Sequence, residues 1–145
     1  MAKLIIDNEL IAEEYFSDAR LLGIQCALEP HQFIWHINRQ FLYDFRYQSG
    51  SEIVVTKKSR PFRYPIFQCK EPQQELLHII YANQYDGEYL LSELRYFDYL
   101  WLIKGEMNDD SLPGLILNEL KAIGHVQLVT ELSNEKIINK TQLVL

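Results

Sequence analysis

The sequence predicts an α+β domain, a mainly antiparallel sheet with two principal helices packed on one of its faces. Three observations carry that expectation. Two stretches, about 30–46 and 110–123, repeat their apolar residues with helical spacing. Short β-rich runs divided by turn residues fill most of the remaining chain. One of them, Tyr99-Leu100-Trp101-Leu102-Ile103, is almost continuously apolar and reads as a central strand covered on both faces.

The elements follow in order. Asp7 to Asp18 is acidic and fits a short helix or an extended arm equally well. Leu22, Ile24, Cys26 and Leu28 then recur with period two, a strand with one buried side. Pro30 sits where a first helical turn tolerates it, and Phe33, Ile34, Ile37, Phe41, Leu42 and Phe45 line the helix it opens. Ser49-Gly50-Ser51 is a turn, and Ile53-Val54-Val55-Thr56 is a short strand. The segment Pro61–Lys70 holds prolines at 61 and 65, so as a strand it belongs at an edge. Glu71-Pro72-Gln73-Gln74 reads as a hairpin connection into the strand Leu76–Ala82, and Asp86-Gly87 as the turn that follows. After the central strand, Asp109, Asp110 and Ser111 are candidate N-caps for a helix whose stripe is Leu112, Leu115, Ile116, Leu120 and Ile123, stopped at Gly124. Val126–Thr130 is the last strand. The unit Tyr99–Thr130 resembles the strand–helix–strand half of a ferredoxin-like domain.

At 145 residues, 48% hydrophobic and 23% charged, the chain reads as a single domain over 1–145, with about 1–18 and 133–145 as possible peripheral arms. Fourteen bases against 20 acids give a net charge of -6, which disfavours non-specific binding to nucleic acid or anionic membrane. Residues 31–70 alone are basic, with seven bases and two acids. Cys26 and Cys69 form no CxxC pair and read as buried reduced thiols. The opening Met1–Asp7 turns acidic too soon for a secretory leader, so the expected compartment is the cytoplasm.

Enzyme motifs are missing from the sequence. The six glycines are isolated, so no phosphate loop is present, and neither GxSxG nor HExxH occurs. His31 and His36 are the only close histidine pair, and their five-residue separation puts them off a common helix face; no metal or other cofactor is expected.

Residues 91–99, Leu91-Ser92-Glu93-Leu94-Arg95-Tyr96-Phe97-Asp98-Tyr99, resemble the signature of the IPExxxVDY family, small bacterial proteins without an assigned activity, mostly from the Bacteroidota. Glu93, Asp98 and Tyr99 match it; Leu91 and Phe97 are mild changes from Ile and Val, and Ser92 replaces Pro. The apolar strand running into Lys104-Gly105, the Leu22-Gly23-Ile24 strand and the Trp35…Asn38 stretch extend the likeness over roughly residues 20–130. The resemblance implies a bacterial cytoplasmic setting and no particular reaction.

Two groups of residues stand out as candidate sites. Glu93 and Asp98 either share acid–base work in one cleft, with Tyr99 or Lys104 as partner, or shape the entry to the central strand. In the second reading, which is favoured, Glu93 caps the turn, Asp98 bonds backbone N–H groups, and Arg95 or Lys104 supplies any charge partner a buried carboxylate needs. The other group is Lys57, Lys58, Arg60, Phe62, Arg63 and Tyr64, cations interleaved with aromatics as in sequence-tolerant single-stranded RNA binding. A solvated hairpin tip or contact with an acidic partner explains the same pattern. Nine tyrosines lean toward a binding surface. The expected function is therefore a non-catalytic interaction domain binding a protein partner or itself. RNA binding through 57–64, and a small-ligand sensor or enzyme using Glu93 and Asp98, are the alternatives.

Overall fold

A computed structural model describes residues 2–47, 50, 52–71, 75–107, 111–133, 137 and 140–143. In chain order its elements are α1 (Ala2–Ser17), β1 (Ala19–Cys26), α2 (Pro30–Phe41), β2 (Arg46–Tyr47), β3 (Ile53–Lys57), β4 (Arg60–Tyr64), β5 (Ile66–Glu71), β6 (Leu76–Ala82), β7 (Gln84–Tyr85) and β8 (Glu88–Tyr89). A 3-10 turn at Ser92–Leu94, β9 (Tyr99–Lys104), α3 (Ser111–Lys121), β10 (Val126–Leu132) and a 3-10 turn at Lys140–Leu143 follow. Most of turn 49–51, the connection 72–74 and the N-cap candidates Asp109 and Asp110 lie outside the described residues.

The main sheet has six strands in the order β10-β1-β9-β6-β5-β2, and every neighbouring pair is antiparallel. β1 lies between β9 and β10, antiparallel to both, so those two run parallel with β1 between them. By the same logic β6 is parallel to β1 across β9. β1–α2–β6 and β9–α3–β10 are thus two interleaved split strand–helix–strand units, a ferredoxin-like arrangement. The stretch between α2 and β6 widens the sheet by β5 and β2 and adds the separate hairpin β3–β4.

Both faces of the sheet are covered. Leu22, Ile24, Ile80, Trp101 and Ile103 face α2 and α3, against Phe33, Ile34, Ile37, Ile116 and Leu120. Leu21, Ile79, Tyr81, Leu100 and Leu102 face the other way, under Phe16 of α1, Phe62 and Tyr64 of β4, and Ile137 and Leu143 near the C-terminus. The terminal segments expected as peripheral arms therefore contribute core residues, and the acidic N-terminal stretch is helical. β1, expected to bury one side, is buried on both because α1 and the hairpin close the second face.

Three further expectations are corrected. α2 stops at Phe41 and not near 46, because Leu42 adopts a left-handed conformation (φ 56°) and the Asn38 side chain captures the chain beyond it. The Phe45 amide donates to Asn38 Oδ1 at 2.8 Å, and Asn38 Nδ2 donates to the Phe45 carbonyl at 3.1 Å. Phe45 is still buried, but it arrives from a loop and packs on Trp101 at 5.3 Å. Segment 61–70 is two strands broken at Pro65: β4 pairs with β3, while β5 is an interior strand between β6 and β2. On α3, Leu115 is 55% exposed and Pro113 is buried instead. The Asp86-Gly87 turn matches expectation, with positive φ at both residues as a tight hairpin requires.

Candidate functional site

The nonapeptide 91–99 is organised by a residue outside it. Asn83, directly after β6, is fully buried. Its Nδ2 donates to the carbonyls of Leu94 (3.0 Å) and Phe97 (2.9 Å), and its Oδ1 accepts the Leu91 amide at 2.9 Å. Its own backbone donates to the Asp98 carbonyl and accepts from the Leu90 amide. One side chain thus serves three inward-turned backbone groups that no strand reaches. The ring of Phe97 then lies flat on β1 at Gly23, where an added Cβ would stand 2.8 Å from it.

Asp98 joins the loop to β1. Its Oδ2 accepts the Cys26 amide at 2.8 Å, and its own amide donates to the Ile24 carbonyl at 2.8 Å. Burial pushes the Asp98 carboxyl above its ordinary pKa, and the Cys26 amide offsets this only in part. Tyr99 donates its hydroxyl to the Leu28 carbonyl at 2.5 Å and stacks on Phe33 with ring centroids 4.1 Å apart. A crevice of about 260 Å³ opens here, lined by Cys26, Glu29, Gln84, Asp98 and Tyr99 among others. Glu93, on the 3-10 turn, is not among its lining residues, so the two carboxylates do not share this cleft. Lys104 is not a partner for either. It lies at the far end of β9, where its Nζ bonds Asp18 Oδ1 (2.8 Å) and the Tyr15 carbonyl (2.6 Å). Arg95 instead stands 5.6 Å over the ring of Tyr96.

The basic segment forms the β3–β4 hairpin, turned at Lys58 and Ser59, both with positive φ. Strand alternation decides what each side chain meets. Phe62 and Tyr64 point into the core and are 5% and 0% exposed, so neither ring is presented as a stacking platform. Lys57 bonds the Tyr89 carbonyl and lies 3.8 Å from Glu88, and Arg60 pairs with Asp86. Lys58, Arg60 and Arg63 are the exposed cations of the hairpin, Arg60 in its pair with Asp86. The Tyr64 hydroxyl is buried without a hydrogen-bond partner among the described residues. Tyr64→Phe should therefore stabilise the protein by about 1 kcal/mol in urea unfolding, since it deletes an unsatisfied polar group and keeps the ring.

A buried polar network lies below the α2–β2 loop. His78 is fully buried; its Nε2 is 2.9 Å from Glu71 Oε1, and Trp101 Nε1–H donates to its Nδ1 at 3.0 Å. Because an indole nitrogen only donates, His78 carries its proton on Nε2 and gives it to Glu71. Glu71 also accepts the Tyr43 hydroxyl. Burial holds His78 below its usual pKa, against the pull of Glu71. Cys69 sits directly opposite His78 on the neighbouring strand. Both ring nitrogens are already engaged, and burial pushes the Cys69 thiol upward, so this pair is no nucleophile–base couple. Cys26 is likewise raised by burial and by the nearby Asp98. The sequence signal for this network is a histidine at an inward position of an apolar strand, which spacing rules for catalysis do not pick out.

An apolar hollow lies on the outer side of α2, beyond its buried stripe. It measures about 510 Å³ and is lined by Leu28, His31, Gln32, Trp35, His36 and His125. Trp35 is 55% exposed yet held in place: the Arg39 guanidinium lies 5.2 Å over its ring and the His36 ring meets it edge-on at 4.9 Å. His36 in turn lies 5.4 Å from His125, in the turn just before β10. No group of three or more His, Cys, Asp or Glu side chains among the described residues is arranged to hold a metal ion. No described helix is long and apolar enough to cross a membrane. The chain matches no protein-family model and no curated protein.

Proposed function

We propose that the chain is a non-catalytic interaction domain of the bacterial cytoplasm, binding a protein partner through the hollow around Trp35. The observation that carries this reading is a large aromatic ring, more than half exposed, braced by a cation and an imidazole at the lip of an apolar concavity. Tryptophan and arginine dominate binding energy where they are found at interfaces. A ring already fixed by its neighbours loses little freedom on binding, so more of its contact energy appears as affinity. On its nonapeptide we also read the chain as a relative of the IPExxxVDY proteins, a kinship that brings no reaction with it. The basic hairpin is the weaker alternative, because its two aromatic rings point inward and two of its cations meet acids or carbonyls of the same chain.

Trp35→Ala tests the reading. The side chain lies outside the core, so thermal stability should change by less than about 1 kcal/mol. Affinity for a partner captured from native cytoplasm should fall about 30-fold or more, as at an interfacial hot spot. In the wild-type protein, bound partner should shield Trp35 from iodide quenching while buried Trp101 stays insensitive. Partners that bind the alanine variant equally well would refute the Trp35 site.

A further inference from the structure

We infer that the partner enters the Trp35 hollow with an acidic segment, an apolar side chain flanked by aspartate or glutamate. This rests on the reading of the hollow as a docking site and names the chemistry of what enters it. Residues four apart share a helix face, so α2 presents two rows here: His31, Trp35 and Arg39 in one, Gln32 and His36 in the other. Leu28, from the connection after β1, and His125, from the turn before β10, complete the lining. Its volume of about 510 Å³ lies within the range of built ligand sites.

Every polar side chain that lines the hollow can donate a hydrogen bond, and none is a carboxylate. Gln32 Oε1 already accepts the Glu29 amide at 3.4 Å, which leaves the Gln32 N–H groups for another acceptor. Arg39 lies 5.2 Å over the Trp35 ring and forms no ion pair among the described residues, whereas Arg20, Arg46, Lys57, Arg60 and Lys104 are each set against an acid. A guanidinium that covers a ring with its face keeps its edge N–H groups for a carboxylate. Acids border α2 without entering the hollow: Glu29 lines the neighbouring crevice, and Glu119 accepts from Gln40 at 2.7 Å. The result is a donor-rich concavity free of carboxylates on a chain of net charge -6. Charges beyond about 8 Å are screened at physiological ionic strength, so these local groups decide what is accepted. A purely apolar anchor would leave the donors around it without acceptors, and a basic segment would meet Arg39 at close range. Nucleic acid suits the hollow less, because a phosphate backbone draws on several cations and the lining residues include neither lysine nor arginine.

Selection of short random peptides displayed against the full chain tests this. Enriched sequences should carry an aromatic or aliphatic residue next to aspartate or glutamate, and should lose binding to Trp35→Ala. For one such peptide, a double-mutant cycle separates the charge contact from the bracing of Trp35 by Arg39. Replacing its acids with asparagine or glutamine should weaken binding to the wild type about fivefold, and to Arg39→Gln by less than about twofold. Trp35-dependent peptides with no excess of acid, or a cycle without coupling, overturn the acidic segment and leave the hollow as a docking site. A selection that yields no Trp35-dependent peptide overturns both. Single-stranded RNA bound with the same dependence on Trp35 would replace the acidic segment, and so would a second copy of the chain, seen as a dimer by light scattering that Trp35→Ala abolishes.

Discussion

Asn83→Ala should lower the unfolding free energy by about 3 kcal/mol or more, the largest loss expected from any polar residue in this chain. The change removes three hydrogen bonds and strands the Leu91 amide and the Leu94 and Phe97 carbonyls in the interior. Each such orphan costs about 1–3 kcal/mol. Asn83→Asp should also destabilise, because it keeps the acceptor, deletes both donors and buries a charge. Urea unfolding measures the loss, and hydrogen exchange at Leu91 should accelerate out of proportion to the global change. A penalty below about 1 kcal/mol would mean that the loop 90–98 is held by its apolar residues alone.

Acid should weaken the fold through His78. The imidazole is neutral in the native state, with its pKa depressed below the ordinary 6.5, whereas in the unfolded chain it titrates normally. Unfolded molecules therefore bind the proton first. The contribution of neutral His78 is whole above pH 6.5 and declines as pH falls below it toward the native-state pKa. Within that window the slope is up to about 1.4 kcal/mol per pH unit. Protonation at Nδ1 also removes the acceptor of Trp101 Nε1–H, so the emission of the buried indole should shift at the lower end of the window. His78→Leu should flatten this part of the pH–stability curve and cost about 2 kcal/mol at neutral pH, since Trp101 loses its partner. A curve with the same slope in both proteins would assign the acid sensitivity elsewhere.

What could be read in the sequence, and what could not, divides by the range of the interactions involved. Periodicity and turn chemistry are local, and they led to β9 as the central strand, to the Asp86-Gly87 hairpin and to the α+β class with its ferredoxin-like unit. Periodicity misled where a residue reached the core by another route. Phe41, Leu42 and Phe45 continue the helical spacing, yet Asn38 ends the helix by taking the backbone of Phe45, seven positions on. The proline pair at 61 and 65 points to an edge strand, whereas the chain breaks at Pro65 and changes sheets there. At the candidate sites, the aromatic rings of 57–64 were legible as residues, but their inward direction depends on which face of the hairpin is covered, a tertiary fact. Asp98 was singled out from its motif; Asn83, which organises the same loop from eight or more positions away, carries no local mark. Trp35 was passed over because it falls off the apolar stripe of α2, and that misfit was itself the available signal.

The flat seating of Phe97 on Gly23 has an evolutionary corollary. Strand and loop share one small allotment of volume, so neither position can enlarge unless the other shrinks. Over a lineage the two sites should drift as a couple, glycine accompanying a broad ring and a small side chain accompanying a slimmer one. Gly23→Ala alone should be disfavoured, whereas the same change made together with Phe97→Val should be tolerated, marking a hereditary bond between segments more than seventy residues apart.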